Sequence, residues 1–187
     1  IVWECQHLQL LAPGTQAPGT CGHILLVDRY SQPLPCKQGV GLARKIGSDI
    51  ALALIRNDQI KTEWIASSDA DATLPANYFC ALSNADQSAT AACYPFEHVG
   101  GAPEINAATL IYQQALRYYV AGLKYAGSAY AFHTIGSTLA FKAQSYAEAR
   151  GFPKRAAGED FYLLNKLAKM GKITTIKNST IRLAART

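Results

Sequence analysis

One twelve-residue stretch, Trp64-Ile65-Ala66-Ser67-Ser68-Asp69-Ala70-Asp71-Ala72-Thr73-Leu74-Pro75, constrains this chain more than any other. Its apolar opening reads as a buried strand, Asp69 and Asp71 fall just past the carboxyl end, and Pro75 is expected to open a helix. Open α/β sheets bind their ligands beyond the carboxyl ends of strands. In extended chain, residues i and i+2 point the same way, so both carboxylates can address a single bound object. Two neighbouring carboxylates repel unless a cation or a proton lies between them, and oxygen ligands suit hard divalent cations. A metal is therefore one reading. The other makes Asp69 a helix N-terminal acid and Asp71 a turn residue.

At 187 residues the sequence suits one domain, 1–187, large enough to bury a core without disulfides. With 49% hydrophobic and 17% charged residues, the composition is that of a folded chain. No apolar run reaches membrane-spanning length and no signal-peptide pattern opens the sequence. Cys5, Cys21, Cys36, Cys80 and Cys93 are scattered without Cys-x-x-Cys spacing, so reduced thiols in a cytoplasmic setting are expected rather than a zinc site. The net charge of +5 is uneven: from Lys142 onward there are ten Lys/Arg against three Asp/Glu. That basic final quarter could meet phosphate, nucleic acid or the cytoplasmic face of an anionic membrane. Lys166, Lys169 and Lys172 read instead as a solvated helix face. Nucleic acid is not expected as a partner, because no base-stacking aromatics interleave with the basic residues.

Along the chain, Ile1 to Ala12 could supply a strand, and Pro13 to Thr20 is loop material. The absence of an initiator Met suggests a piece cut from something longer, and the tail from Thr180 to Thr187 is expected to lead onward. Ile24-Leu25-Leu26-Val27, ended by Asp28, fits a central parallel strand buried on both faces. Gln38-Gly39-Val40-Gly41 leads into a helix with Ile46, Ile50 and Leu54 four apart. Its glycines would let backbone approach a ligand, while Gly47 is expected to serve close helix packing. A short helix over 75–82 and a strand over 88–94 follow. Glu104 to Tyr125 is the longest helical candidate, with Leu110, Leu116, Tyr119, Val120 and Leu123 as its packed face. Tyr112, Tyr118 and Tyr125 read first as core and second as the lining of a groove. Ser137–Phe141 is a short strand, preceded by His133, a potential ligand or base that is more often merely hydrogen-bonded. Glu159-Asp160 then starts a helix that Gly171 ends near Met170, and 172–177 is a final strand.

Taken in order, the strand ending in Asp28, the Gly-x-Gly-x-Ala-Arg helix, Ser-Asp-Ala-Asp, Gly-Phe-Pro and Gly-Glu-Asp resemble a family 2 glycosyltransferase over residues 24–177. The resemblance implies a GT-A fold: three-layer α/β/α, Rossmann-like, with a mostly parallel central sheet. It further implies that Asp28 contacts the nucleoside and Arg44 the nucleotide. Asp69 and Asp71 would hold a divalent metal, Mn2+ or Mg2+, against the diphosphate of a nucleotide-sugar, with Asp71 the direct ligand. Asp160 would be the base that deprotonates an acceptor hydroxyl, and Glu159 its neighbour on the acceptor side. The chain departs from the family pattern in three places. Lys45 replaces a common Asn, Asp28-Arg29-Tyr30-Ser31 stands for Asp-Asp-Gly-Ser, and the first-strand Pro-x-Tyr-Asn signature is not found.

The implied chemistry is coherent. A diphosphate leaving group gains negative charge in the transition state, and a nearby cation stabilises it where it grows. A hydroxyl is a poor nucleophile unless a carboxylate takes its proton as the new bond forms. Direct displacement inverts the anomeric centre. Two other functions stay open: a nucleotidyltransferase on the same architecture, although no Gly-rich basic loop lies near the first strand, and a non-catalytic sugar- or nucleotide-binding module. Acceptor contacts are expected on the helix from Glu104 to Tyr125 and in the segment from His133 to Ser137.

Overall fold

The computed structural model describes residues 8–11, 24–29, 31 and 33–185. Its strands are β1 (Leu8–Leu11), β2 (Ile24–Val27), β3 (Trp64–Ser67), β4 (Ala72–Thr73), β5 (Ala91–Cys93), β6 (Phe96–Val99), β7 (Leu139–Lys142), β8 (Ile173–Thr175) and β9 (Ile181–Ala184). Its helices are α1 (Gly39–Arg56), α2 (Tyr78–Ser83), α3 (Pro103–Tyr125), α4 (Ala143–Glu148) and α5 (Glu159–Met170), with a 3-10 turn at Gly136–Thr138. The fold is mixed α/β.

Alternation along short apolar strands builds the centre. The main sheet has the order β3-β7-β5-β8, and its middle strand β7 buries Leu139, Ala140 and Phe141 completely. Because side chains alternate across a sheet, these strands feed two separate cores. Ile65, Ala91, Cys93, Leu139 and Phe141 face one side with Tyr146, Phe152, Leu163, Leu164 and Leu167 from α4, α5 and the loop between them. Trp64, Ala92 and Ala140 face the other with Tyr78, Leu82, Tyr94 and Ile181. Fully burying residues such as Phe141 and Leu139 stabilises by about 2 kcal/mol each relative to exposure. Burial also pushes the Cys93 thiol up to about 12, which leaves it unreactive at neutral pH.

Helices α1, α4 and α5 cover one face. The other carries α2 and a second sheet of order β4-β9-β6, on which α3 lies. The expected mostly parallel sheet is therefore corrected. In the main sheet only β5 and β8 run parallel, while β7 is antiparallel to both β3 and β5. Nor is Ile24–Val27 a central strand. It pairs antiparallel with β1 in a separate two-stranded sheet, where Leu26 is 47% exposed. The four-residue apolar run has the composition of a buried strand, and nothing local distinguishes that from an edge hairpin.

The segment read as a departing tail forms β9, parallel to β6 and antiparallel to β4. Helix α3 turns Thr109 and Gln113 inward and leaves Leu110, Tyr112, Tyr118, Tyr119 and Tyr125 exposed, so the expected tyrosine core is absent. Cys36 and Cys80 are exposed free thiols. Among the described residues no helix is long and apolar enough to cross a membrane.

The roles of two α1 glycines are exchanged relative to expectation. A Cβ on Gly41 would lie 2.4–2.7 Å from backbone atoms of Pro153 and Arg155, and the Gly41 N–H donates to Arg155 O at 2.9 Å. Gly-x-Gly thus admits the chain's own loop, not a ligand. A Cβ on Gly47 would meet nothing within 4 Å. Gly41→Ala should therefore destabilise by about 2–3 kcal/mol, since rigid backbone must move. Gly47→Ala should instead stabilise by roughly 0.5–1 kcal/mol, and urea denaturation of both variants reads the opposite signs.

Candidate functional site

Strand β3 ends at Ser67, and the chain then turns tightly, with the Ala72 N–H donating to Asp69 O at 3.1 Å. A strand follows that turn, β4, so Asp69 is not a helix N-terminal acid. Ser67, Asp69 and Asp71 are spaced by two along this edge. Helix α1 brings Arg44 to the same edge, and α5 brings Glu159 after Gly158, whose φ of 73° needs no Cβ.

Ser67, Asp69 and Glu159 meet at one guanidinium, that of Arg44. Arg44 Nε donates to Glu159 Oε1 at 2.9 Å, Nη1 to Ser67 Oγ and to Gly136 O at 2.8 Å each, and Nη2 to Asp69 Oδ1 at 2.6 Å. The Arg44 side chain is 9% exposed and that of Glu159 5%, whereas Asp69 is 41% exposed. Only Arg offers a planar fork able to serve four acceptors in fixed directions, so Lys would not replace it. Gly136 is part of the fit, because a Cβ there would lie 2.5 Å from Arg44 Nη2.

Asp69 and Asp71 line a cavity of 410 Å³ together with His98, Thr109, Tyr112 and Ser137. Its described lining contains no Lys or Arg, although Arg44 pairs with Asp69 at 2.6 Å. Among the described residues no group of three or more His, Cys, Asp or Glu is disposed to hold a metal. Two carboxylates on one cavity nevertheless fit a hard ion such as Mg2+ or Mn2+ that takes its remaining oxygens from phosphate and water.

The other expected site residues are dispersed. Asp160, second in α5, accepts from the Phe161 N–H at 2.7 Å and is not among the residues lining this cavity. Glu159 is buried on Arg44, its side chain 5% exposed. Asp28 follows β2 off the main sheet and accepts from the Ser31 N–H at 3.3 Å and hydroxyl at 2.7 Å. His133 packs its ring edge-on to Phe96 at 5.2 Å, and burial with the nearby Arg117 charge holds its pKa below the ordinary value. With Tyr112, Tyr130, Phe132, Phe161 and Lys169 it lines a second cavity, of 510 Å³, and Tyr112 borders both.

Sequence reasoning missed Ser67, Gly136, His98 and Gln113. The i, i+2 spacing from Asp69 could have found Ser67. His98 carries no signal of its own, because β6 is a four-residue strand held by pairing with the distant β9. Comparison of the chain with protein-family models, with curated proteins and with solved structures gives no match.

Arg44→Met strands the Glu159 carboxylate in the interior and should cost about 3–5 kcal/mol of stability. With Glu159→Gln already present, the same change should cost about 1–2 kcal/mol, because no buried charge is left behind. Equal losses in the two backgrounds, measured by denaturant titration, would show that the pair is not coupled.

Proposed function

We propose that the chain is a metal-dependent inverting glycosyltransferase of GT-A type, moving a sugar from a nucleotide-diphosphate donor to an acceptor hydroxyl. The observation that carries this reading is the Arg44 centre, which unites Asp69 and Glu159, acids from distant segments, beside a cavity that Asp71 also lines. In this reading Asp71 and Asp69 hold Mn2+ or Mg2+. The ion, when bound, stabilises the charge that develops on the departing diphosphate. Arg44 fixes Asp69 and, through Glu159, the start of α5. Asp160, next in that helix, takes the acceptor proton. The acceptor oxygen bonds to the anomeric carbon, the bond to the diphosphate breaks with its electron pair, and the configuration inverts. The aromatic second cavity, sharing Tyr112 with the first, is the place for the acceptor.

A non-catalytic sugar- or nucleotide-binding module is the second reading, favoured by the engagement of Asp160 with the Phe161 N–H. A nucleotidyltransferase fits less well, since the described residues of the acidic cavity provide no cation to meet a triphosphate. Calorimetric titration with nucleoside diphosphates and Mn2+, followed by a donor-transfer assay, separates them. Asp71→Ala should abolish turnover and weaken metal-linked donor binding. Asp160→Asn should keep donor binding and lose transfer by about 100-fold or more, as removal of a general base does. Unchanged activity of Asp71→Ala, or a product that retains the donor's anomeric configuration, would overturn the proposal.

A further inference from the structure

Helix α3 has two faces of opposite character. Its inner stripe, with Thr109 and Gln113, packs on β6, where the Gln113 side-chain oxygen accepts the His98 N–H at 3.0 Å. Its outer face holds no charged residue: Ala107, Ile111, Gln114, Tyr118, Ala121 and Tyr125 alternate four and three positions apart, and all are exposed. Ile111, Tyr118 and Tyr125 are 69%, 83% and 96% exposed, and Leu110 beside them 55%. Tyr112 and Tyr119 belong instead to the cavities. A contiguous uncharged face running about five turns of helix is more than a monomer ordinarily leaves in water.

Spacings of three and four are those of a coiled-coil seam, in which each side chain enters a hole on the facing helix. Ile111, Tyr118 and Tyr125 hold one seam position, and the smaller Ala107, Gln114 and Ala121 hold the other. Against a parallel copy large would meet large and small would meet small, crowding one layer and emptying the next. Against an antiparallel copy every large residue meets a smaller one. Tyr125 meets Ala107, Tyr118 meets Gln114 and Ile111 meets Ala121, each pair formed twice about a two-fold axis. On one flank Ala108, Ala115 and Gly122 let the backbones approach, and a Cβ on Gly122 would meet nothing within 4 Å. On the other flank Arg117 is turned back onto Phe96 O at 3.4 Å, and the seam itself holds no charge to repel its copy. The four large side chains leave roughly 600 Å² open per copy, and with the small residues between them the face approaches the ~800 Å² per partner of a standard stable interface. We propose that α3 is a self-association surface, on which a second copy of this chain docks antiparallel along the seam from Ala107 to Tyr125. An anionic membrane fits the face less well, because Arg117 and Lys124 are the only cations of the helix and stand on the same flank. The inference does not depend on the transferase reading.

Sedimentation equilibrium of the intact chain at about 100 μM, above the micromolar end of the range for interfaces of this size, should give twice the mass of one chain. Tyr118→Glu, which puts charge in the middle of the seam, should give a monomer. Its urea midpoint should stay close to that of wild type at a low concentration where both are monomers. Ile111→Ala opens a void opposite Ala121, and Ala121→Ile crowds Ile111, so each should raise the dimer dissociation constant about tenfold or more. Combined, the two changes exchange large for small across the same layer and should return the constant to within about threefold of wild type. A monomeric wild type, a dimer that Tyr118→Glu leaves intact, or a double variant no tighter than the single ones would each overturn the inference. Capture of a monomeric chain by phosphatidylglycerol vesicles, lost in Tyr118→Glu, would overturn it in favour of a membrane surface.

Discussion

A guanidinium removed from water with two carboxylates beside it is the constraint on which the rest of the site depends. Desolvating Arg44 and Glu159 costs several kcal/mol per ion, so the pair is a poor source of stability by itself. Its effect is geometrical. Four acceptors, from β3, the turn after it, the segment before β7 and the start of α5, are satisfied only when all four elements are in place. A guanidinium bonded to three of the four would leave a donor without a partner in a nearly dry environment. The network therefore couples the position of α5 to the acidic turn, although the two are far apart in sequence. Gly136 and Gly41 serve the same end, since each admits a neighbour that a methyl group would exclude.

The scaffold around this centre is built from small residues. Ala91, Ala92 and Ala140 sit at 0% exposure in the main sheet, where larger side chains are supplied by the layers above and below. On one face the ring stack of Phe141 and Tyr146, 5.0 Å between centroids, ties the middle strand to α4. The Tyr146 hydroxyl also bonds Asp49 of α1, at 2.9 Å. Arg44 thus projects from a helix tied to the sheet through Tyr146 of α4, which is how a site comes to rest on rigid elements rather than on loops.

Much of this was legible in the sequence because it is local. The apolar run at Trp64 gives a strand, its end gives two acids facing one space, and Ile46, Ile50 and Leu54 give a helix. The resemblance assigns Arg44 to a nucleotide and Glu159 to the acceptor side, whereas the coordinates join Arg44 to Asp69 and Glu159, a pairing with no local signal. Long-range pairing was not legible. Phe96–Val99 and Ile181–Ala184 are short strands stabilised by each other across nearly half the chain, so neither carries its own signal. The same blindness placed Ile24–Val27 in the wrong sheet. Tyrosines on α3 misled because a stripe of aromatic residues has the same spacing whether it meets a core or borders a cavity. The helix glycines misled because spacing does not say which neighbour comes close.

Electrostatics links the two cavities to one chemistry. In the proposed function the acidic one takes a phosphate ester together with a cation, and the aromatic one beside it carries Lys169 and His133, whose pKa is lowered by burial and by the Arg117 charge. The central claim is that a divalent ion bridges the acidic turn and a diphosphate. Its most direct measurement is the 31P hyperfine coupling of protein-bound Mn2+ in the presence of a nucleoside diphosphate, for wild type and for Asp71→Asn. The account predicts a resolved phosphorus coupling that disappears in the variant. Mn2+ bound without phosphorus contact, or with a coupling that Asp71→Asn leaves intact, would contradict it.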